Sequence, residues 1–210
     1  MIEAFIFDLD GVICTTDEYH YQAWKTLANE LGLEFSRAKN DRLRGISRMA
    51  SLEIVLEESK IEYSAEEKVD LAEKKNAIYR KLLCNIHPED ALPEIPETLK
   101  ALRERDMKIA IGSSSKNTKD ILGRLDLLDI FDAIADGSDI TRSKPDPEVF
   151  LCAAGKLGLE PGVCAVVEDA SAGIQAAKAA GMLAIAFGGD AASDPCADKV
   201  ITHPSQLLAL

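Results

Sequence analysis

Residues 4–12 read AFIFDLDGV, an apolar run that ends in two acidic side chains, Asp8 and Asp10. A continuous apolar run of this length is typical of a strand buried on both faces of a parallel sheet. Similar runs occur at residues 109–111, 163–167 and 183–187, with weaker ones at 133–135 and 200–201. Helical patterns separate these runs at residues 97–105, 117–125, 147–157 and 171–180. This alternation predicts an α/β fold with a Rossmann-like, doubly wound parallel sheet.

A long helical insertion interrupts the alternation after the first predicted strand. One apolar stripe ends before Gly32, Ser47 is positioned to cap a second helix, and Ser64 with Glu67 forms a capping box for a third that runs toward Leu83. The insertion is far longer than an ordinary connection between a strand and a helix. We therefore predict an α/β core over residues 1–15 and 93–210 and an all-helical cap domain over residues 16–92, with hinges near residues 14–17 and 90–96.

Composition and charge narrow the possible partners. The chain has 210 residues, 47% of them hydrophobic and 29% charged, which are ordinary globular values and argue against disorder. Its net charge of −12 disfavours nucleic acid and anionic membranes. The apolar run at residues 179–189 is too short to cross a bilayer. Five scattered cysteines without a CxxC pair indicate reduced thiols, so we expect a cytoplasmic protein. A monomer is the default expectation, because the sequence does not fix the oligomeric state.

Two acidic pairs follow predicted strands. Asp8 and Asp10 lie just after the first strand, where open α/β sheets bind ligands, although an acidic turn would look the same. Glu168 and Asp169 follow the strand at residues 163–167, although acids also suit the start of a helix. Four acids converging at one sheet edge would repel each other without a cation, and their oxygen ligands suit Mg²⁺.

Two further segments suggest phosphate binding. Residues 112–117 (GSSSKN) lie between a predicted strand and a predicted helix, where small hydroxyl residues and backbone N–H groups can cradle phosphate. A simple helix cap is the alternative. Lys144 precedes Pro145 between two strand-end motifs, although a lone lysine is usually a solvated surface charge.

Taken together, Asp8-x-Asp10, Ser113, Lys144 and Glu168-Asp169 resemble the four motifs of the haloacid dehalogenase superfamily of phosphoryl transferases in order, spacing and strand context. The resemblance spans essentially the whole chain, including the cap. It is strongest toward the superfamily's sugar-phosphate mutases, in the stretches FDLDGVI, EYHYQAWK, RGISRMASL, KKNAIY, SSSKN, DAIAD, SKPDPEVF and EDASAGIQAAK.

The resemblance implies an isomerase that interconverts β-D-glucose 1-phosphate and D-glucose 6-phosphate. The reaction would pass through a phospho-aspartate enzyme and glucose 1,6-bisphosphate, which also serves as the phosphorylating activator. A Mg²⁺-dependent phosphatase acting on sugar phosphates or other small phosphates is the alternative, because it would share all the core motifs. A non-catalytic sugar-phosphate binding protein is a third possibility, but Asp8, Asp10 and Lys144 are all intact.

The resemblance also implies a role for each core residue. Asp8 would be the nucleophile and Asp10 the general acid and base. Mg²⁺ would be held by Asp8, the backbone carbonyl of Asp10, and Glu168 or Asp169. The transferring phosphoryl group would be bound by Ser113, Ser114 and Lys144.

The cap is expected to select the substrate. Arg48 would clamp the distal phosphate, and His20 with Lys75 would position the cap and Asp10 on closure. As alternatives, Arg48 is an exposed residue in a first helical turn and His20 is a member of an apolar stripe. Trp24 is expected to be a packing residue that also touches the sugar. The expected substrate-binding residues are Thr16, His20, Trp24, Gly45, Ile46, Arg48, Ser51, Lys75, Ser115, Lys116 and Asn117.

Three positions depart from the superfamily pattern. Thr15 stands where an aspartate is usual, Ala170 replaces a hydroxyl residue after the acidic pair, and Glu94 replaces a glycine in the returning hinge. None of these changes removes a catalytic group. They are expected to affect hinge hydrogen bonds and the surroundings of the metal rather than the class of reaction.

Overall fold

The computed structural model describes residues 2–43 and 46–210, so the predicted site residue Gly45 lies outside the described residues. Six parallel strands form one sheet in the order β3-β2-β1-β4-β5-β6. The strands are β1 (Ala4–Phe7), β2 (Lys108–Gly112), β3 (Ala133–Ala135), β4 (Cys164–Glu168), β5 (Leu183–Phe187) and β6 (Lys199–Ile201). All six predicted strands are therefore confirmed. The one at residues 163–167 is shifted by one residue, so that Glu168 ends the strand instead of following it.

Eight α-helices accompany the strands in the described part of the chain. They are α1 (Asp17–Glu30), α2 (Arg37–Asp41), α3 (Arg48–Leu56), α4 (Ala65–Leu83), α5 (Ile95–Glu104), α6 (Thr118–Arg124), α7 (Glu148–Leu157) and α8 (Ser171–Ala179). The short helix α2 has no counterpart among the predicted helices. None of the helices in residues 2–43 and 46–210 is long and apolar enough to cross a membrane.

Both faces of the sheet are covered, as the apolar runs predict. Ala4 and Ile6 of β1 belong to one buried cluster together with residues of α7 and α8. Successive side chains of a strand point to opposite faces, and the alternate residues Phe5 and Phe7 are equally buried. The second face is therefore also shielded from water, as a doubly wound parallel sheet requires.

The chain divides into two compact units. One comprises residues 1–15 and 87–210 and holds the sheet, and the other is the helical segment Thr16–Ile86. The predicted boundary at residue 92 was therefore six residues late. Residues 91 and 92 join the sheet unit because Ala91 forms a bridge with Cys14 and the Leu92 N–H donates to the Ile13 carbonyl at 2.8 Å.

The helical unit has its own core. Helix α4 packs against both α1 and α3, and the buried cluster includes Trp24, Leu27, Leu52 and Val55. The predicted capping box is present: Ser64 accepts a hydrogen bond from the Glu67 backbone, and the Glu67 carboxylate accepts one from the Ser64 N–H. Trp24 is almost completely buried in this core, which agrees with the packing role expected for it.

Glu94 begins α5 with a left-handed backbone at φ 65°. A residue other than glycine is strained there, which explains the glycine of the superfamily pattern. The Glu94 carboxylate compensates by accepting hydrogen bonds from Ser205 Oγ at 2.7 Å and by lying 3.1 Å from His203 Nδ1. The carboxylate thus ties the start of α5 to the C-terminal segment.

Glu94→Ala is expected to lower the unfolding free energy, because it keeps the strained backbone and loses both side-chain contacts. Glu94→Gly loses the same contacts but relieves the strain, so its loss of unfolding free energy should be clearly smaller. Urea unfolding measures both. Asp126 has a similar backbone (φ 55°). In the described part of the chain, the Asp126 side chain makes no hydrogen bond. Asp126→Gly is therefore the control: it relieves the strain without losing a contact and should stabilise the protein. Equal losses for the Ala and Gly variants at position 94 would contradict this account.

Candidate active site

The predicted site residues of the core meet at the carboxyl edge of the sheet. Asp8 follows β1, and its N–H donates to the Val167 carbonyl of β4 at 2.9 Å. Ser113 follows β2, and its N–H donates to the Ala135 carbonyl of β3 at 3.0 Å. Because β1 pairs with β2 on one side and β4 on the other, the strand order reverses at β1. Open α/β sheets bind ligands at such a reversal.

Lys144 is a buried cation between two carboxylates. Its Nζ contacts Asp8 Oδ1 and lies 2.5 Å from Glu168 Oε1, and it also lies 4.7 Å from the centre of the Phe150 ring. Burial alone would lower the pKa of Lys144, but the charges of Asp8 and Glu168 outweigh it and raise the pKa. The lysine is therefore a fixed positive charge and not the solvated surface residue that a lone lysine usually is.

Asp8, Glu168 and Asp169 form a carboxylate cluster in which one oxygen of each residue lies within 4.8 Å of the others. Three carboxylates around one ammonium leave excess negative charge in a buried region. The sign of this excess and the oxygen-only donor set both fit a hard divalent cation such as Mg²⁺. The Asp10 side chain is not in the cluster, and the resemblance implies a contribution of Asp10 only through its backbone carbonyl.

In EDTA, the protein is expected to lose stability as the pH rises from about 5 to about 8. Burial, followed by the charges of Glu168 and Asp8, raises the pKa of Asp169 from 3.8 to about 8. The unfolded chain therefore releases this proton at a lower pH than the folded chain does, which disfavours folding throughout that window. Urea unfolding at the two pH values measures the loss.

The matched variants are Asp169→Asn and Asp129→Asn. The first imitates the protonated side chain and should flatten the pH dependence. The second changes an exposed carboxylate of a surface turn and should leave the dependence as it is. An Asp169→Asn variant with the parent's slope would show that Asp169 does not cause it.

Asp10 is half-buried at a tight turn that follows β1. The Gly11 N–H donates to the Cys14 carbonyl at 2.7 Å, and Gly11 adopts φ 91°, which favours glycine. Burial, and then the charges of Asp10 and Asp8, raise the pKa of the nearby Cys14 thiol. Cys14 therefore stays protonated, which argues against a thiolate nucleophile at this position.

The serine-rich loop after β2 is held mainly by its own hydroxyl groups. Ser113 Oγ accepts from the Ser115 N–H at 3.2 Å, and Ser115 Oγ accepts from the Asn117 N–H at 3.1 Å. Ser114 Oγ is buried and has no hydrogen-bond partner among the described residues. Of the predicted phosphate-binding hydroxyls, that of Ser114 therefore has donor and acceptor capacity to spare for a ligand. Lys116 is exposed.

In the helical unit, His20 and Lys75 form the predicted pair. Lys75 Nζ lies 2.8 Å from His20 Nδ1, and burial followed by the charges of Lys75 and Arg48 keeps the pKa of His20 well below its usual value. An ammonium group can only donate, so Nδ1 accepts and the proton of the neutral ring lies on Nε2. Lys75 also lies 4.7 Å from the Trp24 ring centre and 4.6 Å from that of Tyr79.

The other predicted cap residues differ from one another in their burial and in their polar partners. Arg48 Nη1 lies 2.6 Å from Glu73 Oε1, and Ser51 is buried on α3. Thr16 accepts a hydrogen bond from Tyr79 Oη at 2.9 Å. Tyr79 ends the KKNAIY stretch of the resemblance but was not among the expected site residues. Its position four residues after Lys75 places both on one face of α4. Glu73 also escaped prediction, because an exposed glutamate on a helix has no distinctive pattern.

Ala170 is a departure that the structure explains. Its backbone N–H donates to Glu168 Oε2 at 2.8 Å. Any residue other than proline can make this bond, so it persists without the usual hydroxyl side chain. The expected loosening around the metal therefore does not extend to this contact with Glu168.

Comparison with known proteins agrees with this geometry. A family model for haloacid dehalogenase-like hydrolases matches residues 2–181. The β-phosphoglucomutase of Bacillus subtilis (strain 168) is 46% identical over 189 residues, which cover 89% of this chain and 84% of that protein. The fructose-1-phosphate phosphatase YqaB of Escherichia coli (strain K12) is 34% identical and covers 86% of this chain and 93% of its own length.

A solved structure gives the same result for the fold. The 2.27 Å crystal structure of a β-phosphoglucomutase from Clostridium difficile has a TM-score of 0.92 and 43% sequence identity, covering 99% of this chain and 93% of that one. The predicted α/β fold is thereby confirmed at the level of the whole chain. With the family match covering most of its length, the chain belongs to the haloacid dehalogenase-like hydrolase family.

Proposed function

We propose that this chain is a β-phosphoglucomutase that interconverts β-D-glucose 1-phosphate and D-glucose 6-phosphate. The observation that carries the proposal is the buried contact of Lys144 with Asp8 at the sheet edge, in a chain 46% identical to a β-phosphoglucomutase. The ammonium lies beside one oxygen of Asp8, so the charge needed to bind a phosphoryl group is beside the proposed nucleophile. Five free thiols fit a reducing compartment such as the cytoplasm, and a monomer remains a prediction.

The chemistry begins with Asp8. A carboxylate oxygen of Asp8 attacks phosphorus in glucose 1,6-bisphosphate, the bond from phosphorus to the sugar oxygen breaks, and Asp10 gives its proton to that oxygen. In the reverse direction, Asp10 removes the proton from a sugar hydroxyl, which takes the phosphoryl group from Asp8. Lys144, Ser113 and Ser114 would hold the phosphoryl oxygens, so the chain mainly positions the groups and stabilises charge.

The carboxylate cluster is proposed to hold Mg²⁺ through Asp8, Glu168 and Asp169, with the backbone carbonyl of Asp10. When bound, the ion supplies positive charge that offsets the repulsion between an anionic nucleophile and an anionic substrate. Glucose 1,6-bisphosphate is the proposed source of the first phosphoryl group. Its two phosphates require two binding regions, and a mutase must rebind the same intermediate in either orientation.

The second phosphate is assigned to Arg48, with Ser115, Lys116 and Asn117 as further polar groups. A guanidinium group can bind phosphate through two parallel hydrogen bonds. Its present partner Glu73 is mostly exposed and can therefore be solvated when a phosphate replaces it. Neutral His20, with its proton on Nε2, would donate a hydrogen bond from that nitrogen to the substrate. The remaining cap contacts to substrate are proposed for Thr16, Trp24, Gly45, Ile46, Ser51 and Lys75.

A sugar-phosphate phosphatase is the second candidate. The E. coli relative that bears the name fructose-1-phosphate phosphatase matches nearly the same share of this chain as the B. subtilis mutase does. The first half of the reaction would be identical, and water would then replace the sugar hydroxyl as acceptor. The acceptor of the phosphoryl group therefore separates the two functions.

Phosphorus NMR of the protein with β-glucose 1-phosphate, Mg²⁺ and a trace of glucose 1,6-bisphosphate tests the choice. Conversion to glucose 6-phosphate with little inorganic phosphate supports the mutase. In parallel, the reaction in ¹⁸O-labelled water reports hydrolysis, because phosphate released by water carries the label. Labelled inorganic phosphate as the main product, from glucose or fructose 1-phosphate, would overturn the mutase in favour of the phosphatase.

A further inference from the structure

Gly173 lies in the first turn of α8 beside the side chain of Glu168. A Cβ atom at residue 173 would overlap Oε1 and Cδ of Glu168 and lie 2.5 Å from its Cγ, well inside van der Waals contact. The backbone does not demand glycine here, because Gly173 is helical and is not among the residues with positive φ. The position therefore depends on the absence of a side chain rather than on conformational freedom.

Glu168 cannot give way without losing its own contacts. Its Oε1 lies 2.5 Å from Lys144 Nζ, and its Oε2 accepts from the Ala170 N–H at 2.8 Å. The side chain is 2% exposed, so the protein packs closely around it. Any shift that made room for a methyl group at residue 173 would separate Glu168 from one of these partners.

We propose that Gly173 is a positioning residue that keeps Glu168 on Lys144 and in the carboxylate cluster with Asp8 and Asp169. The part that concerns the cation rests on the proposed function, whereas the part that concerns the ion pair does not. Gly173 itself makes no contact with substrate in this proposal. It acts through the volume that it leaves to Glu168.

Gly173 gives a cleaner test than the other glycines near the cluster. Gly11 approaches the Asp169 side chain and Gly189 approaches the Asp169 backbone, but their φ values are 91° and 53°. Substitution at either would combine crowding with backbone strain. At Gly173 alanine adds only crowding, and the helix itself favours alanine.

The experiment compares Gly173→Ala with Gly155→Ala. Gly155 lies in α7, is exposed and has no atom within 4 Å of a Cβ built there, so it controls for the change of helix propensity. Binding of Mn²⁺, a probe for the divalent site, is followed by the electron paramagnetic resonance of the free ion. Gly173→Ala is expected to weaken binding by at least about tenfold, the usual effect of losing a group that orients a metal ligand. Gly155→Ala should bind like the parent.

A second comparison tests whether Glu168 transmits the effect. In a Glu168→Ala background the overlapping atoms are gone, so adding Gly173→Ala should weaken Mn²⁺ binding no further. Thermal unfolding in EDTA should then show a reversal of sign. Gly173→Ala lowers the midpoint in the parent, because it crowds Glu168, and raises it in the Glu168→Ala background, because alanine favours the helix.

The outcomes separate this proposal from the proposed function. Mn²⁺ affinity unchanged by Gly173→Ala, or equal midpoint changes in both backgrounds, would overturn the role of Gly173. A parent that binds no Mn²⁺ would count against the metal site, while the reversal of the midpoint shift would still support the positioning of Glu168. If Gly173→Ala alone fails to fold, folding of the double variant supports the proposal and its failure contradicts it.

Discussion

Asp8→Asn is expected to lower the rate of phosphoryl transfer by at least about 10⁴-fold, because an amide is a very poor nucleophile toward phosphorus. Asp8 lies at the centre of the site: it follows β1, contacts Lys144 and belongs to the carboxylate cluster. The variant keeps the size of the side chain, so the loss would reflect chemistry rather than packing. Phosphorus NMR with β-glucose 1-phosphate, Mg²⁺ and glucose 1,6-bisphosphate measures the rate.

A second measurement identifies the step that fails. The parent, mixed with glucose 1,6-bisphosphate and quenched in acid, should carry one added phosphoryl group by mass spectrometry, and Asp8→Asn should carry none. Asp120→Asn is the control, since Asp120 lies on α6 and pairs with Arg124 in the next helical turn. It should retain both the mass increase and the rate. A phosphorylated Asp8→Asn protein would place the nucleophile elsewhere and overturn the mechanism.

The sheet and its acidic edge could be predicted from the sequence because both depend on simple rules. Buried parallel strands must be apolar throughout, and their carboxyl ends lie at one edge. Those two rules place Asp8 and Glu168 at one edge, and the observed pairing of β1 with β4 brings them together. The one-residue shift of β4 did not disturb the prediction, since strand ends are uncertain by about that much.

The position of Lys144 could be predicted from the sequence only in part. It lies in the segment between β3 and α7, and sequence patterns do not determine the path of a segment without regular structure. The resemblance predicted that Lys144 binds the phosphoryl group. Its simultaneous contact with Asp8 and Glu168 is seen only in the structure. The same holds for Gly173, because a glycine inside a helix carries no sequence signal of what packs against it.

The domain boundary shows a related limit. A change from helices to strands locates an insertion only to within a few residues, and residues 87–92 belong to the sheet unit. The deciding interactions are backbone contacts between segments distant in sequence, such as that of Leu92 with Ile13. Backbone groups of this kind are the same for every residue type except proline, so side-chain patterns do not reveal them.

Lys144→Met is expected to lower activity by about 10³-fold and to destabilise the fold by about 3–5 kcal/mol, the usual cost of removing one partner from a buried ion pair. Methionine keeps a long apolar stem against Phe150 but leaves Asp8 and Glu168 without their cation. The raised pKa of Lys144 means that the pair contributes below the unfolded pKa of about 10.4 and is lost only as the pH rises through the folded pKa. The parent should therefore keep this contribution from pH 5 to pH 9.

The variant should behave in the opposite way across acidic pH. With the ammonium gone, the carboxylates repel each other, and protonation of a carboxylate relieves this repulsion. The loss of unfolding free energy relative to the parent should therefore be smaller at pH 5 than at pH 8. Urea unfolding at both pH values measures the difference. Lys108→Met is the control: Lys108 pairs with Asp132 at 3.3 Å, but its side chain is 54% exposed, and such pairs contribute about 0–1 kcal/mol.

A double variant separates the lysine's contribution to folding from its contribution to the reaction. Lys144→Met with Glu168→Gln removes one charge from each side of the pair, and a neutral replacement of a buried pair often restores stability. We expect the unfolding free energy to recover by roughly half or more, while the rate stays at or below the level of Lys144→Met, because the phosphoryl oxygens still lack their cation and Glu168 is also a proposed ligand of the metal. Recovery of the rate together with stability would mean that Lys144 serves only the fold, and it would remove the lysine from the proposed phosphoryl-binding site.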